Sequence, residues 1–224
     1  MLGEKIRIRN SRSTSTGIVT SALLLMLLLA GACQAQTLEK AAGNNTTLDE
    51  IQTSIDSFLP VKLADRFALV ALHEALDAAR EGNYGFGAVL VNESTGEVVE
   101  RGHNHVFHPY FRSDLHAETD VLNKYEERMK ASGPSTGGLA LYCSGEPGPM
   151  GLGRIINSGI SKMYYLAGSQ DSGMVHMMDC LPPIWQEMAK GRDYRQADCS
   201  PELIALAEKI IDYSEDELDL QLKK

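Results

Sequence analysis

His116, Ala117 and Glu118 set an imidazole and a carboxylate two residues apart, just ahead of a stretch with helical periodicity. At a helix start that spacing turns both groups toward one cleft. There the histidine suits a divalent metal and the carboxylate suits proton transfer. A second helix opens further along, at Glu146-Pro147-Gly148-Pro149-Met150-Gly151-Leu152-Gly153. Gly148, Gly151 and Gly153 supply no metal donor and cost a helix about 1 kcal/mol each relative to alanine. What they expose is bare backbone N–H at a helix start, a setting that favours an anion, with Arg112 and Arg154 as candidate cations. His103, His105, His108 and Asp114 lie close enough in sequence to join His116 in a histidine-rich metal site. The ordinary reading of such loop histidines is hydrogen bonding and solvent contact.

These groups need a scaffold, and the sequence predicts one. Thr47-Leu48-Asp49-Glu50 is a capping box opening a short helix that Pro60 ends. Residues 62–80 set Leu63, Phe67, Val70, Ala71 and Ala78 on one helical face, with His73 at the surface. Phe86 to Val91 predicts a buried strand, Asn92 to Gly96 a turn, and Glu97 to His103 an alternating strand. A loop follows, then a helix from about Leu115 to Met129. A strand over Leu139 to Ser144, a helix over Gly148 to Asn157 and a strand over Ile160 to Ala167 come next. Crossovers of that length imply parallel pairing late in the sheet, after an antiparallel start. Trp185 reads as core, in a helix over Pro183 to Lys190. Ser200-Pro201-Glu202 opens a last helix with buried Leu203, Leu206, Ala207, Ile210 and Ile211, and Glu215 to Glu217 reads as its solvated face.

Composition sets the wider frame. The chain has 224 residues, 43% hydrophobic and 23% charged, which suits one domain with an appendage. The appendage is N-terminal: a basic stretch from Lys5 to Arg12, then an apolar run from Ile18 to Ala32 that is short for a membrane span. The run ends in Leu29-Ala30-Gly31-Ala32-Cys33, which resembles a bacterial lipobox. Residues 1–32 are therefore expected to be a signal peptide, with Cys33 lipid-bearing, residues 33–47 a polar linker and 48–224 the domain. Gln34 after the lipidated cysteine favours the outer membrane, facing the periplasm, within a bacterial cell envelope. The net charge is −9; taking four basic and one acidic residue of the leader from 21 and 30 leaves 17 and 29, or −12. Such a surface repels a phosphate backbone, so a nucleic-acid polymer is not the expected partner. Cys180 and Cys199 flank 18 residues and are spaced for a disulfide of about 3 kcal/mol, although spacing alone leaves the connectivity open. Cys143 reads as a buried thiol.

Four pieces in order carry a resemblance: Phe86-Gly87-Ala88-Val89-Leu90-Val91; Gly102-His103-Asn104; His116-Ala117-Glu118; and Leu141-Tyr142-Cys143-Ser144-Gly145-Glu146-Pro147 with Pro149-Met150 and Leu152-Gly153. Residues 62–167 resemble the cytidine/deoxycytidylate deaminase superfamily, in the branch of guanine, cytosine and tRNA adenosine deaminases. That resemblance implies a three-layer α/β/α sandwich around a five-stranded mixed sheet, with zinc between the N-termini of two core helices. It implies His116 as the histidine ligand and Glu118 as the acid/base serving the departing amine. Asn104 would contact the base, Glu146 and Pro147 would shape the pocket, and the region holding Met174, His176, Met177, Met178 and Asp179 would close over it. The implied partner is a free base or nucleoside, and helices of this family often form a homodimer. Gly148 and Gly151 stand where the family has its two cysteine ligands, leaving His116 as the retained one. Zinc hydrolysis is accordingly expected to be impaired, with a purine-like ligand still bound. A working deaminase with a non-standard metal site, and a structural or interaction module, are the alternatives.

Overall fold

The computed structural model describes residues 47–133 and 135–222. The expected signal peptide, the expected lipid-bearing Cys33 and the polar linker before Thr47 lie outside the described residues. Helix α1 (Leu48–Ser57) begins with the expected capping box: the Glu50 N–H donates to Thr47 Oγ1 at 3.2 Å and the Thr47 N–H to Glu50 Oε2 at 2.9 Å. Helix α2 (Leu63–Arg80) buries Phe67, Ala68, Ala71, Leu72, Ala75 and Leu76 at the spacing of one helical face. Leu63, assigned to that face by pattern, is 65% exposed, while Ala64 and Asp65 of the same turn face the core. His73 is a surface residue beside Asp56 and Gln52, as read.

Strands β1 (Gly87–Asn92) and β2 (Glu97–His103) form an antiparallel hairpin. Its turn is set by Asn92, whose Oδ1 accepts from the Ser94 and Thr95 N–H groups, and by Gly96 at φ +71°. Helix α3 (Ala117–Met129) follows, then β3 (Leu139–Gly145), α4 (Pro149–Ser158) and β4 (Lys162–Ala167). A short 3₁₀ turn (Met178–Cys180), helix α5 (Pro183–Ala189), strand β5 (Asp193–Gln196) and helix α6 (Pro201–Leu222) complete the described elements. The sheet order is β2-β1-β3-β4-β5, antiparallel across its first two pairs and parallel across the last two. The antiparallel start and parallel finish are those expected from the crossover lengths. Strand β5 is not legible in the residues: Asp-Tyr-Arg-Gln is short and polar, and it becomes a strand by pairing with β4 at the sheet edge.

The sheet separates two apolar layers. Helices α1, α2 and α6 cover one face against Val89, Val91, Ala140, Tyr142, Tyr164 and Leu166. Helices α3 and α4 cover the other against Ala88, Leu90, Leu141, Cys143 and Met163. The alternation of strand side chains sends neighbouring residues to opposite layers, which is the expected α/β/α sandwich. Helix α2 lies so near β1 that a Cβ at Gly87 would sit 2.2 Å from the Ala71 carbonyl oxygen, so only glycine allows this approach. The first layer is also tied by Asp65, fully buried, which accepts from the Val61, Lys62 and Ser200 N–H groups and from the Ser200 hydroxyl, all within 3.0 Å. One carboxylate thus serves the starts of both α2 and α6.

The cysteine pairing does not form. Cys180 and Cys199 are free thiols on opposite sides of the sheet: the turn holding Cys180 adjoins Met178 and Leu181 in the α3/α4 layer, and Cys199 is buried in the other. Sequence separation permitted a bridge that the intervening sheet prevents.

Candidate active-site pocket

Helices α3 and α4 begin side by side at the end of β3, and their first residues frame a cavity of about 410 Å³. Asn104, His116, Glu118, Cys143, Glu146 and Gly148 line it. Four distant sequence pieces therefore meet in one cleft at a strand's carboxyl end, the usual ligand position of open α/β sheets.

His116 is the N-cap of α3 and has extended backbone, so its ring stands off the helix start. Glu118 lies within the first turn and is buried. Burial pushes its carboxyl above the usual range, while the His116 charge and the Glu118 backbone N–H pull it down without cancelling that effect. The carboxyl group occupies the space in front of Gly151: a Cβ there would lie 1.9 Å from Glu118 Oε1. Gly148, the N-cap of α4, is roomier, with the Ser172 carbonyl oxygen 3.2 Å from a built Cβ. Cys143 faces the pocket from β3, and burial followed by the nearby Glu118 charge raises its thiol well above the ordinary range, keeping it neutral.

Asn104 is fully buried. Its backbone N–H donates to the Phe86 carbonyl at 2.9 Å, and its Oδ1 accepts from the Val106 N–H at 2.9 Å. These bonds fix the amide and leave Nδ2 without a partner among the described residues. Glu146 is expected, with Pro147, to shape the pocket. It lines the cavity, but its Oε1 accepts from the His176 N–H and ring and its Oε2 from the Ser169 N–H, at 2.9–3.1 Å. The Pro147 carbonyl accepts from the Met174 N–H at 3.0 Å. Glu146 and Pro147 therefore moor residues 169–176, and Ser169, Asp171 and Ser172 of that segment form a wall of the pocket.

Burial alone would raise Glu146, but the bonds from His176 and Ser169 outweigh it and hold the carboxyl below the usual range. A depressed acid stabilises its surroundings above the unfolded-state pKa and stops doing so as pH falls through the folded value. The 169–176 wall is therefore expected to loosen as pH falls below the ordinary glutamate range. Protection of the Ser169 and His176 amides against hydrogen exchange, taken relative to their intrinsic rates, should fall there, and Glu146→Gln should lower it at neutral pH.

Besides Ser169, Asp171 and Ser172 of that wall, two pocket residues escaped sequence reasoning. Tyr84 lines the cavity and packs edge-on against Phe107 at 5.4 Å. Glu215, read as part of a solvated face, also lines the cavity, because the long α6 returns past the pocket mouth. No local signal marked either one. Trp185 packs partly buried in the α3/α4 layer, as read.

The histidine-rich alternative is not assembled. His103 and His105 point away from the cavity that Asn104, between them, lines, and the His108 ring lies against Gly82. Asp114 is bound by Arg112 at 2.8 Å and Arg154 by Glu126 at 2.7 Å, so neither arginine is directed at the vacant helix start. Among the described residues, the group of His, Cys, Asp and Glu donors that meet within 4.8 Å is Glu81, His103 and His105, without His116. Catalytic zinc takes three protein donors and a water. Gly148 and Gly151 supply no donor beside His116, and among the described residues no two further His, Cys, Asp or Glu donors meet it within 4.8 Å. This donor set does not fit zinc.

The comparisons agree with the geometry. Residues 62–167 match the family model of the cytidine and deoxycytidylate deaminase zinc-binding region. A tRNA-specific adenosine deaminase of Bacillus subtilis (strain 168) is 36% identical over 104 residues, covering 46% of this chain and 61% of that protein. The chain thus spans about three fifths of that relative's length. A structure from work on A-to-I editing by tRNA:A34 deaminases aligns at 25% identity with TM-score 0.50, over 60% of this chain and 98% of that one. Guanine deaminase from Nitrosomonas europaea shares the fold at 22% identity and TM-score 0.51, over 68% of this chain and 86% of that one. Residues 62–167, just under half of the chain, are thus similar to the cytidine and deoxycytidylate deaminase zinc-binding region, and the five-stranded sandwich is similar to that of the tRNA:A34 deaminase structure.

Proposed function

We propose that this domain binds a purine-like base or nucleoside in the α3/α4 pocket and has given up zinc-dependent hydrolysis. The observation that carries the reading is Asn104. A buried amide nitrogen without a partner costs about 1–3 kcal/mol, and a ligand acceptor, such as a ring nitrogen or exocyclic carbonyl, relieves that cost. Tyr84 and Phe86 border the same cavity and offer apolar faces to a flat ring. The cavity's volume lies in the range of small-molecule sites. Glu118, buried in the same cavity with its carboxyl raised by burial, adds a polar group to the pocket.

A working deaminase is favoured by one observation: a buried carboxyl with a raised pKa is what a general acid needs near neutral pH. The missing metal donors weigh against it, since Gly148 and Gly151 stand where the family's cysteines would be. The leader is proposed to export the domain to the bacterial envelope, anchored through lipid on Cys33. The acidic chain makes a free base or nucleoside a better partner than a polymer.

The test is ligand-induced stabilisation. Guanine, adenine or guanosine at about 100 times its Kd should add roughly 2.7 kcal/mol, or about 5–10 °C in Tm for a chain of this size. Asn104→Ala should remove that shift, measured against the variant's own Tm. A wild-type Tm unmoved by all three would overturn the reading.

A further inference from the structure

Outside the pocket, the opposite side of the 103–105 segment gathers two histidines and three carboxylates. The Glu81 Oε2 atom stands 3.1 Å from His103 Nε2 and 3.6 Å from His105 Nδ1, and the two rings have centroids 4.3 Å apart. Zinc bonds of about 2.0–2.1 Å in a tetrahedron separate neighbouring donors by roughly 3.3–3.4 Å. Both measured edges bracket that value. Glu81 is the C-cap of α2, and its side chain is 48% exposed, so it can adjust and leaves a path from solvent.

The ring nitrogens turned away from Glu81 also face carboxylates. His103 Nδ1 is 2.8 Å from Glu74 Oε2, and His105 Nε2 is 3.8 Å from Asp120 Oδ2. A metal-bound histidine commonly gives its other N–H to such a partner, as Glu74 allows for His103, while Asp120 at 3.8 Å faces His105 as a nearby charge rather than a hydrogen-bond partner. Both carboxylates are themselves held: Glu74 lies 3.3 Å from Arg101 Nε, and Asp120 accepts from Lys124 Nζ at 2.6 Å and from the His103 N–H at 3.2 Å. With the histidines neutral, Glu74, Glu81 and Asp120 exceed Arg101 and Lys124 by one negative charge, so the cluster's net field favours a cation.

We infer that Glu81, His103 and His105 form a binding site for a zinc-class divalent cation, with Glu74 positioning the His103 ring. The site is separate from the pocket and independent of what the pocket binds. Two imidazoles and one carboxylate select zinc-like ions over calcium or magnesium, which prefer all-oxygen sets. A fourth position stays open to water.

The test is zinc uptake by the full chain after chelator treatment, followed by isothermal titration with Zn²⁺ and, separately, Mg²⁺. Expected is one Zn²⁺ per chain and no response to Mg²⁺. His105→Ala and Glu81→Gln should each weaken Zn²⁺ binding by more than about tenfold, and Glu74→Gln by roughly 10–100-fold. His116→Ala should leave the affinity unchanged. Glu81 is exposed enough that its variant keeps the test valid if a histidine variant fails to fold. No uptake at millimolar Zn²⁺, or uptake lost in His116→Ala and kept in His105→Ala and Glu81→Gln, would overturn the assignment.

Discussion

Replacing Gly148 and Gly151 by cysteine together is expected to convert a pocket with one metal donor into a tight zinc site. Two added thiolates with His116 restore the three-donor set of catalytic zinc, and well-formed zinc sites supply about 10–16 kcal/mol of apparent binding energy. The obstacle is Glu118, whose carboxyl group stands where a side chain at position 151 must go. That atom is the far end of a flexible chain, so moving it costs about 1 kcal/mol of rotamer energy, well below the gain. Gly151→Cys alone lacks that gain and should destabilise the domain by about 1–3 kcal/mol. Zinc affinity is best read in a His105→Ala background, which silences the proposed Glu81 site. A folded double variant that takes up no zinc would show that the α3 and α4 helix starts are no longer disposed around a metal.

Asp65→Ala carries the largest expected loss of stability. The substitution strands the Val61, Lys62 and Ser200 N–H groups and the Ser200 hydroxyl at the junction of two helix starts. The two Ser200 donors are buried and cost about 1–3 kcal/mol each when unmatched, while the Val61 and Lys62 N–H groups lie where water can reach them, so the total is expected to be about 3 kcal/mol. For a domain of this size that is a drop of roughly 6–12 °C in Tm. Burial alone would raise Asp65, but bonds from the Lys62, Ser200 and Val61 backbone outweigh it and keep the carboxyl below its usual range. Its contribution is therefore present above the ordinary aspartate pKa and lost as pH falls through the lowered one. Wild-type stability should decline in acid over that window, and the decline should shrink in Asp65→Ala. Equal acid sensitivity in the two proteins would contradict this role.

Much of the fold was legible because it was written locally. The Thr47 capping box and the Asn92–Gly96 turn each depend on residues within four positions of one another. The pocket was legible through His116, Glu118 and Asn104, since a helix start and a strand end fix where short side chains point. What escaped was set by distant packing. Asp65 serves a residue 135 positions away. Strand β5 exists through its neighbour, and Glu215 reaches the pocket through the length of α6. Glu146 shows the same limit from the other side. Its place beside the pocket was readable, but its partners, the amides of Ser169 and His176, come from a loop without a sequence signature. The alternation that sends Asn104 into the pocket sends His103 and His105 to the opposite side, so a run of histidines that looked like one cluster divides between two.

The most direct measurement is ammonia release from guanine, adenine and guanosine by the full chain at high concentration with zinc supplied, alongside Tm in the same samples. Expected is a raised Tm with at least one of these ligands and no ammonia above the blank. Zinc-dependent ammonia release that Glu118→Gln abolishes would contradict the proposal and make the pocket that of a working deaminase.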